Sequence, residues 1–172
     1  SDQGEHKVNV VKDILRKEGF HDPIGDINYP AQWSEASYRG PSVFVDVTAN
    51  DSGIFSVLDR KRGRVFTYDR NGNMLFAFGY RQPLRGTLVS PVAIDYMDDN
   101  LYILDQEKNE IIVYKPTDYT LTILSALNEY NRGQNREAVR KWREVLNQNV
   151  NYDLAYTGVG RSLLRQEKYD KA

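Results

Sequence analysis

PSVFVDVTANDSGIFSVLDRKRGRVFTYD (41–69) is the stretch on which the fold turns, because it returns as SPVAIDYMDDNLYILDQEKNEIIVYK (90–115). Asp46 lies over Asp95, Leu58-Asp59 over Leu104-Asp105 and Tyr68 over Tyr114. The offset is 49 at the start and 46 later, so the second copy has the shorter first hairpin. Within both copies the apolar residues come in short runs: SVFVDV (42–47), GIFSVLD (53–59), RVFTYD (64–69), PVAIDY (91–96), NLYILD (100–105) and EIIVYK (110–115). NMLFAFG (73–79) adds a further run to the first copy. Their length and their Val, Ile, Phe and Tyr content are those of strands. Asn50-Asp51-Ser52-Gly53, Asp69-Arg70-Asn71-Gly72 and Asp98-Asp99-Asn100 supply turn chemistry between them. Such connections are too short for a parallel crossover, so neighbouring strands pair antiparallel.

Upstream, KVNVVKDILRKEG (7–19) reads as half a copy of RVFTYDRNGNMLFAFG (64–79) with its turn shortened, and 20–40 is a long connection. Downstream, the period changes from strand-like to helical after Pro116. Ile123, Leu127 and Tyr130, then Ala138, Trp142, Val145 and Leu146, then Leu154, Val159 and Leu163 mark three apolar faces. Gly133 separates the first two, and Asn147–Asn151 the second from the third. Thr117 suits a helix N-cap, and Asp118 suits the positive end of the helix. A strand over Thr120–Ile123 is the competing reading. The expected organisation is therefore strands over 1–116 (half unit 1–19, connection 20–40, units 41–79 and 90–116) and helices over 117–172. Four-strand units recurring at this spacing mark propeller blades.

Lys plus Arg (23) balance Asp plus Glu (24), for a net charge of -1. That argues against a nucleic-acid partner, which would require a clustered basic excess. No apolar run is long enough to span a bilayer. With no cysteine, disulfides, thiol chemistry and Cys-based zinc sites are excluded, and with only His6 and His21 a multi-histidine metal site is not expected. No cofactor is expected.

Residues 42–79 resemble the NHL repeat in Val43–Asp46, Gly53–Asp59, Arg64–Asp69, the Asn71-Gly72-Asn73 turn and the closing Phe78-Gly79, with Pro41 ahead of them. The second copy keeps Pro91, Asp95, Leu101–Asp105 and Ile111–Tyr114, but has Glu110 where the family has Arg. Residues 119–172 resemble about one and a half tetratricopeptide repeats. Ala126, Gly133, Ala138, Trp142 and Val145 fit the first unit, and Tyr156, Gly160, Tyr169 and Ala172 the second. Glu129, Leu163, Glu167 and Val150 depart from that pattern. The resemblance implies a fold class of mainly β plus α: antiparallel four-stranded blades of a partial propeller, then a tetratricopeptide-like helical hairpin. It also implies a place among larger bacterial proteins that face outside the cytoplasm. The residues themselves leave the compartment open.

Asp46, Asp59, Asp95 and Asp105 look like acid pairs, but each recurs once per copy. The expected role is to tie turns through backbone hydrogen bonds, with no catalytic residue assigned. Arg60, Lys61, Arg62 and Arg64 form a basic turn that could hold phosphate. The matching Gln106–Glu110 loop is not basic, so a solvated turn is the plainer reading. On the first helices of the tetratricopeptide units, Thr120, Ile123, Leu127, Tyr130 and Asn131, then Leu154, Thr157, Arg161, Leu164 and Arg165, line the expected concave, peptide-binding face, with Ile123, Leu127, Tyr130, Asn131, Thr157 and Arg161 the candidate binding residues. Trp142 is expected to be buried near Ala126. The second copy is one strand short, since helix follows EIIVYK, and self-association through exposed edges is expected. The functional expectation is a non-catalytic scaffold with a protein or peptide partner. A sugar- or lipid-binding sensor is the alternative, and a propeller hydrolase or lactonase the third reading.

Overall fold

The computed structural model describes residues 42–166. The half unit at 7–19 and the connection at 20–40, with His6, His21, Trp33 and Tyr38, lie outside them, as do Glu167, Tyr169 and Ala172. The chain is mixed β and α, and two compact units divide it between Lys115 and Pro116.

The first unit contains two antiparallel sheets. One has four strands in the order β1 (Phe44–Ala49), β2 (Phe55–Asp59), β3 (Arg64–Tyr68) and β4 (Met74–Phe78). The other has three: β5 (Pro91–Met97), β6 (Asn100–Asp105) and β7 (Glu110–Tyr114). Within each sheet sequential strands pair as antiparallel hairpins, as short turns require. By register β5 lies 47 residues beyond β1, while β6 and β7 lie 46 beyond β2 and β3, so the second copy's first hairpin is one residue shorter, Ala93 takes the place of Asp46 and Asp95 that of Thr48.

Register fixes which side chains share a face. Asp46, Leu58, Val65 and Phe78 stand opposite one another across the first sheet, as do Thr48, Ser56, Thr67 and Phe76. This face packs on the second sheet through Ile94, Tyr96, Leu101, Ile103, Ile112 and Tyr114. Phe78 meets Tyr114 with ring centroids 5.0 Å apart. Leu58, Val65 and Ile103 are fully buried there, each worth about 1.5–3 kcal/mol of apolar burial. On the opposite face of the first sheet, Val57, Phe66 and Tyr68 form a second buried cluster with Phe44, Val47 and Phe55 against it. Covered on both faces, β2 and β3 show no alternation of buried and exposed residues. The loop between the sheets also reaches the core: Leu88 is fully buried, and the buried Thr87 hydroxyl bonds the carbonyls of Gln82 and Leu84.

The second unit contains α1 (Asp118–Asn131), α2 (Asn135–Gln148) and α3 (Asp153–Leu164), with α1 packed on α2 and α2 on α3. The Thr117 hydroxyl caps α1, accepting from the Thr120 N–H at 3.2 Å, and Asp118 occupies the first turn. The capped turn draws Thr120–Ile123 into helix, so the competing strand reading fails. Gly133 ends the run with φ +77°. Ala126, Ala138, Trp142, Val145 and Ala155 form the core. The close approach to the Trp142 ring is made by Gly158, on the next helix: a Cβ there would lie 2.4 Å from Cε2 and 2.5 Å from Nε1. Gly160, the small residue read from the spacing, is only half-buried.

Candidate functional site

The aspartates divide into two kinds. Asp59 and Asp105 end β2 and β6 and are fully buried. Asp59 Oδ1 accepts from the main-chain N–H groups of Val43 (3.1 Å) and Lys61 (2.9 Å), while Oδ2 pairs with Arg62 at 3.3 Å. Asp105 accepts from Val89, Ser90, Glu107 and Lys108. Burial pushes its carboxyl up, but these four N–H donors outweigh burial and hold it below the usual carboxylate range. Asp59 and Asp105 tie turns, and their oxygens are engaged in doing so.

Asp46 and Asp95 differ from the turn-tying expectation: they tie sheet to sheet. Asp46 Oδ2 accepts from the Ile94 N–H at 2.9 Å, and Asp95 Oδ1 accepts from the Thr48 hydroxyl at 2.8 Å. Beside them the Ser56, Thr67 and Tyr96 hydroxyls form a chain at 2.7 and 2.8 Å. Burial raises the Tyr96 phenol, and burial followed by the Asp105 charge raises that of Tyr114. These polar groups hold the two sheets in one register.

The basic turn does not form one surface. Arg60 is exposed, while Lys61 and Arg64 are half-buried. Arg62 is 4% exposed and ion-paired with Asp59, which corrects the reading of a solvated turn. A buried guanidinium beside a buried carboxylate completes that charge pair and offers nothing to an outside phosphate.

The helical residues also sort by burial. Ile123 is fully buried and Leu127 is 8% exposed, so the structure takes these two out of the expected binding face. Asn131, Thr157 and Arg161 are exposed, and Tyr130 is half-buried. Tyr130 is joined by a residue four beyond Arg161: the Arg165 guanidinium lies 4.0 Å from the Tyr130 ring centroid and donates to the Tyr130 carbonyl at 3.3 Å. Thr157, Arg161 and Arg165 recur every fourth residue and form one stripe along α3 and its C-cap. Repeat spacing puts Tyr130 and Arg165 on one face, and the structure adds their direct contact across thirty-five residues.

Among the described residues no group of three or more His, Cys, Asp or Glu side chains is placed to hold a metal ion, and no described helix is long and apolar enough to cross a membrane. No protein-family model and no curated protein matches the sequence.

Proposed function

We propose that the chain is a non-catalytic scaffold that binds a protein or peptide segment on its helical unit. The sheets are read as successive blades of an NHL-type propeller and the helices as tetratricopeptide repeats, in a protein that works outside the cytoplasm. The duplicated turns support the blade reading: Asp59 and Asp105 accept from equivalent turn amides, and Gly63 and Asn109 share a positive φ 46 residues apart. Two helix connections of three and four residues, with Ala126, Ala138 and Gly158 where helices meet, support the helical reading.

The Thr157–Arg161–Arg165 stripe, ending on the Tyr130 ring, carries the functional reading. It sets fixed cationic and aromatic groups beside an exposed Asn131, a combination suited to carbonyls and carboxylates of an extended segment. The recurring aspartates, engaged in ties, favour this reading over an acid–base site.

A random-peptide display selection against the chain, followed by titration of the selected peptide, tests the proposal. Arg161→Ala and Tyr130→Ala should each weaken binding at least about tenfold, or about 1.4 kcal/mol. Peptide affinity unmoved by both substitutions, or retention of glycans in place of peptides, would overturn it.

A further inference from the structure

Of all the asparagines in the chain, Asn71 alone precedes a glycine, and it stands in the turn that joins β3 to β4. The Gly72 N–H closes this turn by donating to the Asp69 carbonyl at 3.0 Å. The buried Asp69 carboxylate organises the rest. Its Oδ1 accepts from the main-chain N–H groups of Asn71 (2.9 Å) and Asn73 (2.8 Å), and its Oδ2 from the Asn73 side-chain amide (2.8 Å).

The turn asparagines differ in what holds their side chains. Asn50 Oδ1 accepts the N–H groups of Ser52 and Ile54, Asn149 Oδ1 accepts that of Asn151, and the Asn73 amide is held by Asp69. Asn71 is exposed, and its side-chain amide makes no hydrogen bond with a described residue. Asn109 is exposed as well, but Glu110 follows it and is paired into β7. Gly72, at φ +80°, places no Cβ beside its nitrogen. Asn71 thus combines an unheld amide, access to water and an uncrowded nitrogen one residue on, the conditions under which asparagine is thermolabile.

We propose that Asn71 is a site of spontaneous deamidation through a cyclic imide, and that this turn is where the chain acquires isoaspartate. The Gly72 nitrogen leaves the Asp69 carbonyl, loses its proton to hydroxide and bonds to Asn71 Cγ. The Cγ–Nδ2 bond breaks, and ammonia leaves with a proton taken from water. Water then opens the imide: breaking the new N–Cγ bond gives aspartate, and breaking the original N–C bond gives isoaspartate. The sum is asparagine plus water to a carboxylic acid plus ammonia, with no oxidant or reductant. Isoaspartate inserts a methylene into the main chain between the N–H groups of residues 71 and 73, both of which Asp69 Oδ1 accepts. It also sets a second carboxylate near that of Asp69. Keeping both bonds then requires a shift of β4, whose Met74 pairs with Tyr68, so the modification loosens the last strand of the first sheet. The inference concerns the sheets alone and is independent of the peptide surface on the helices.

Ageing the 172-residue chain in warm, mildly alkaline buffer and mapping its peptides by mass spectrometry tests this. A protein L-isoaspartyl O-methyltransferase with labelled S-adenosylmethionine serves as the isoaspartate probe. The peptide holding Asn71 should take up most of the methyl label and should lose its amide several-fold faster than the peptide holding Asn109. Asn71→Gln should remove that label, because the longer side chain closes the imide ring poorly. In the isoaspartyl fraction the amides of β4 should exchange several-fold faster than in the fresh chain, with those of α1, α2 and α3 unchanged. Methyl label spread evenly over the asparagine peptides, or an Asn71 amide lost no faster than that of Asn109, would overturn the proposal. So would an isoaspartyl fraction whose β4 amides exchange no faster than before.

Discussion

Asp105 keeps its charge at zero exposure because main-chain donors stand in for water on both oxygens. The direction of its shift fixes how this residue links stability to acidity. Its folded carboxyl is held below its unfolded value, so the unfolded chain binds more protons around that value. The stabilisation is complete above the unfolded value of about 4 and disappears as pH falls through the folded one. Asp105→Asn replaces one acceptor oxygen with a donor that faces N–H groups. At pH 7 it should lower stability by about 1.5–3 kcal/mol, the range for hydrogen bonds to a charged group. The gap between the two proteins in urea unfolding should narrow as pH is lowered from 7 towards 3. A gap that stays constant across that range would mean that the charge of Asp105 is not what the turn depends on.

At the scale of the element, the β2–β3 hairpin depends on one backbone conformation. Gly63 sits at φ +60° and its counterpart Asn109 at φ +56°, in the region that glycine, and next to it asparagine, tolerates best. A Cβ at Gly63 would also lie 3.1 Å from the Arg81 main chain and from Leu88 Cβ, so space adds to strain. Gly63→Ala should therefore cost about 1–2 kcal/mol from the backbone alone, read as a lower denaturant midpoint. A change below about 0.5 kcal/mol would show that the turn relaxes freely. Elements of this kind were legible in the sequence because they are local. Apolar runs end where the turn residues begin, and Thr117 announces α1. What packs on an element was not legible. The apolar spacing of Ile123 and Leu127 marks a helix face but not whether that face is open, and both are buried. Asp46 and Asp95 align in sequence, yet register sets Asp95 at the place of Thr48, and the partners of the two aspartates, Ile94 and Thr48, lie on another sheet 48 and 47 residues away. Leu88 had no strand around it to signal that it enters the core. Arg62 reads as one cation in a basic run, although Asp59 draws it inside.

For the whole molecule, the division between Lys115 and Pro116 leaves each unit with its own core. Leu58, Val65 and Ile103 serve the sheets, and Ala126, Ala138 and Trp142 serve the helices. Cores that share no residue can open separately, because the free energy of a local opening is set by the apolar surface and hydrogen bonds that it exposes to water. Gly158→Ala is a sharp probe of this separation. The added methyl would meet Trp142 Cε2, Nε1 and Cδ1 at 2.4 to 2.8 Å, and the ring is 1% exposed. Overpacking of that kind costs about 1–3 kcal/mol, which corresponds to roughly 5- to 150-fold faster exchange of amides that open with the helical core. Native-state hydrogen exchange should show this acceleration in the slow amides of α1, α2 and α3, with the slow amides of β2, β3 and β6 unchanged. Equal acceleration in the strands would mean that the two units unfold as one, and no acceleration in the helices would remove Gly158 from the Trp142 contact.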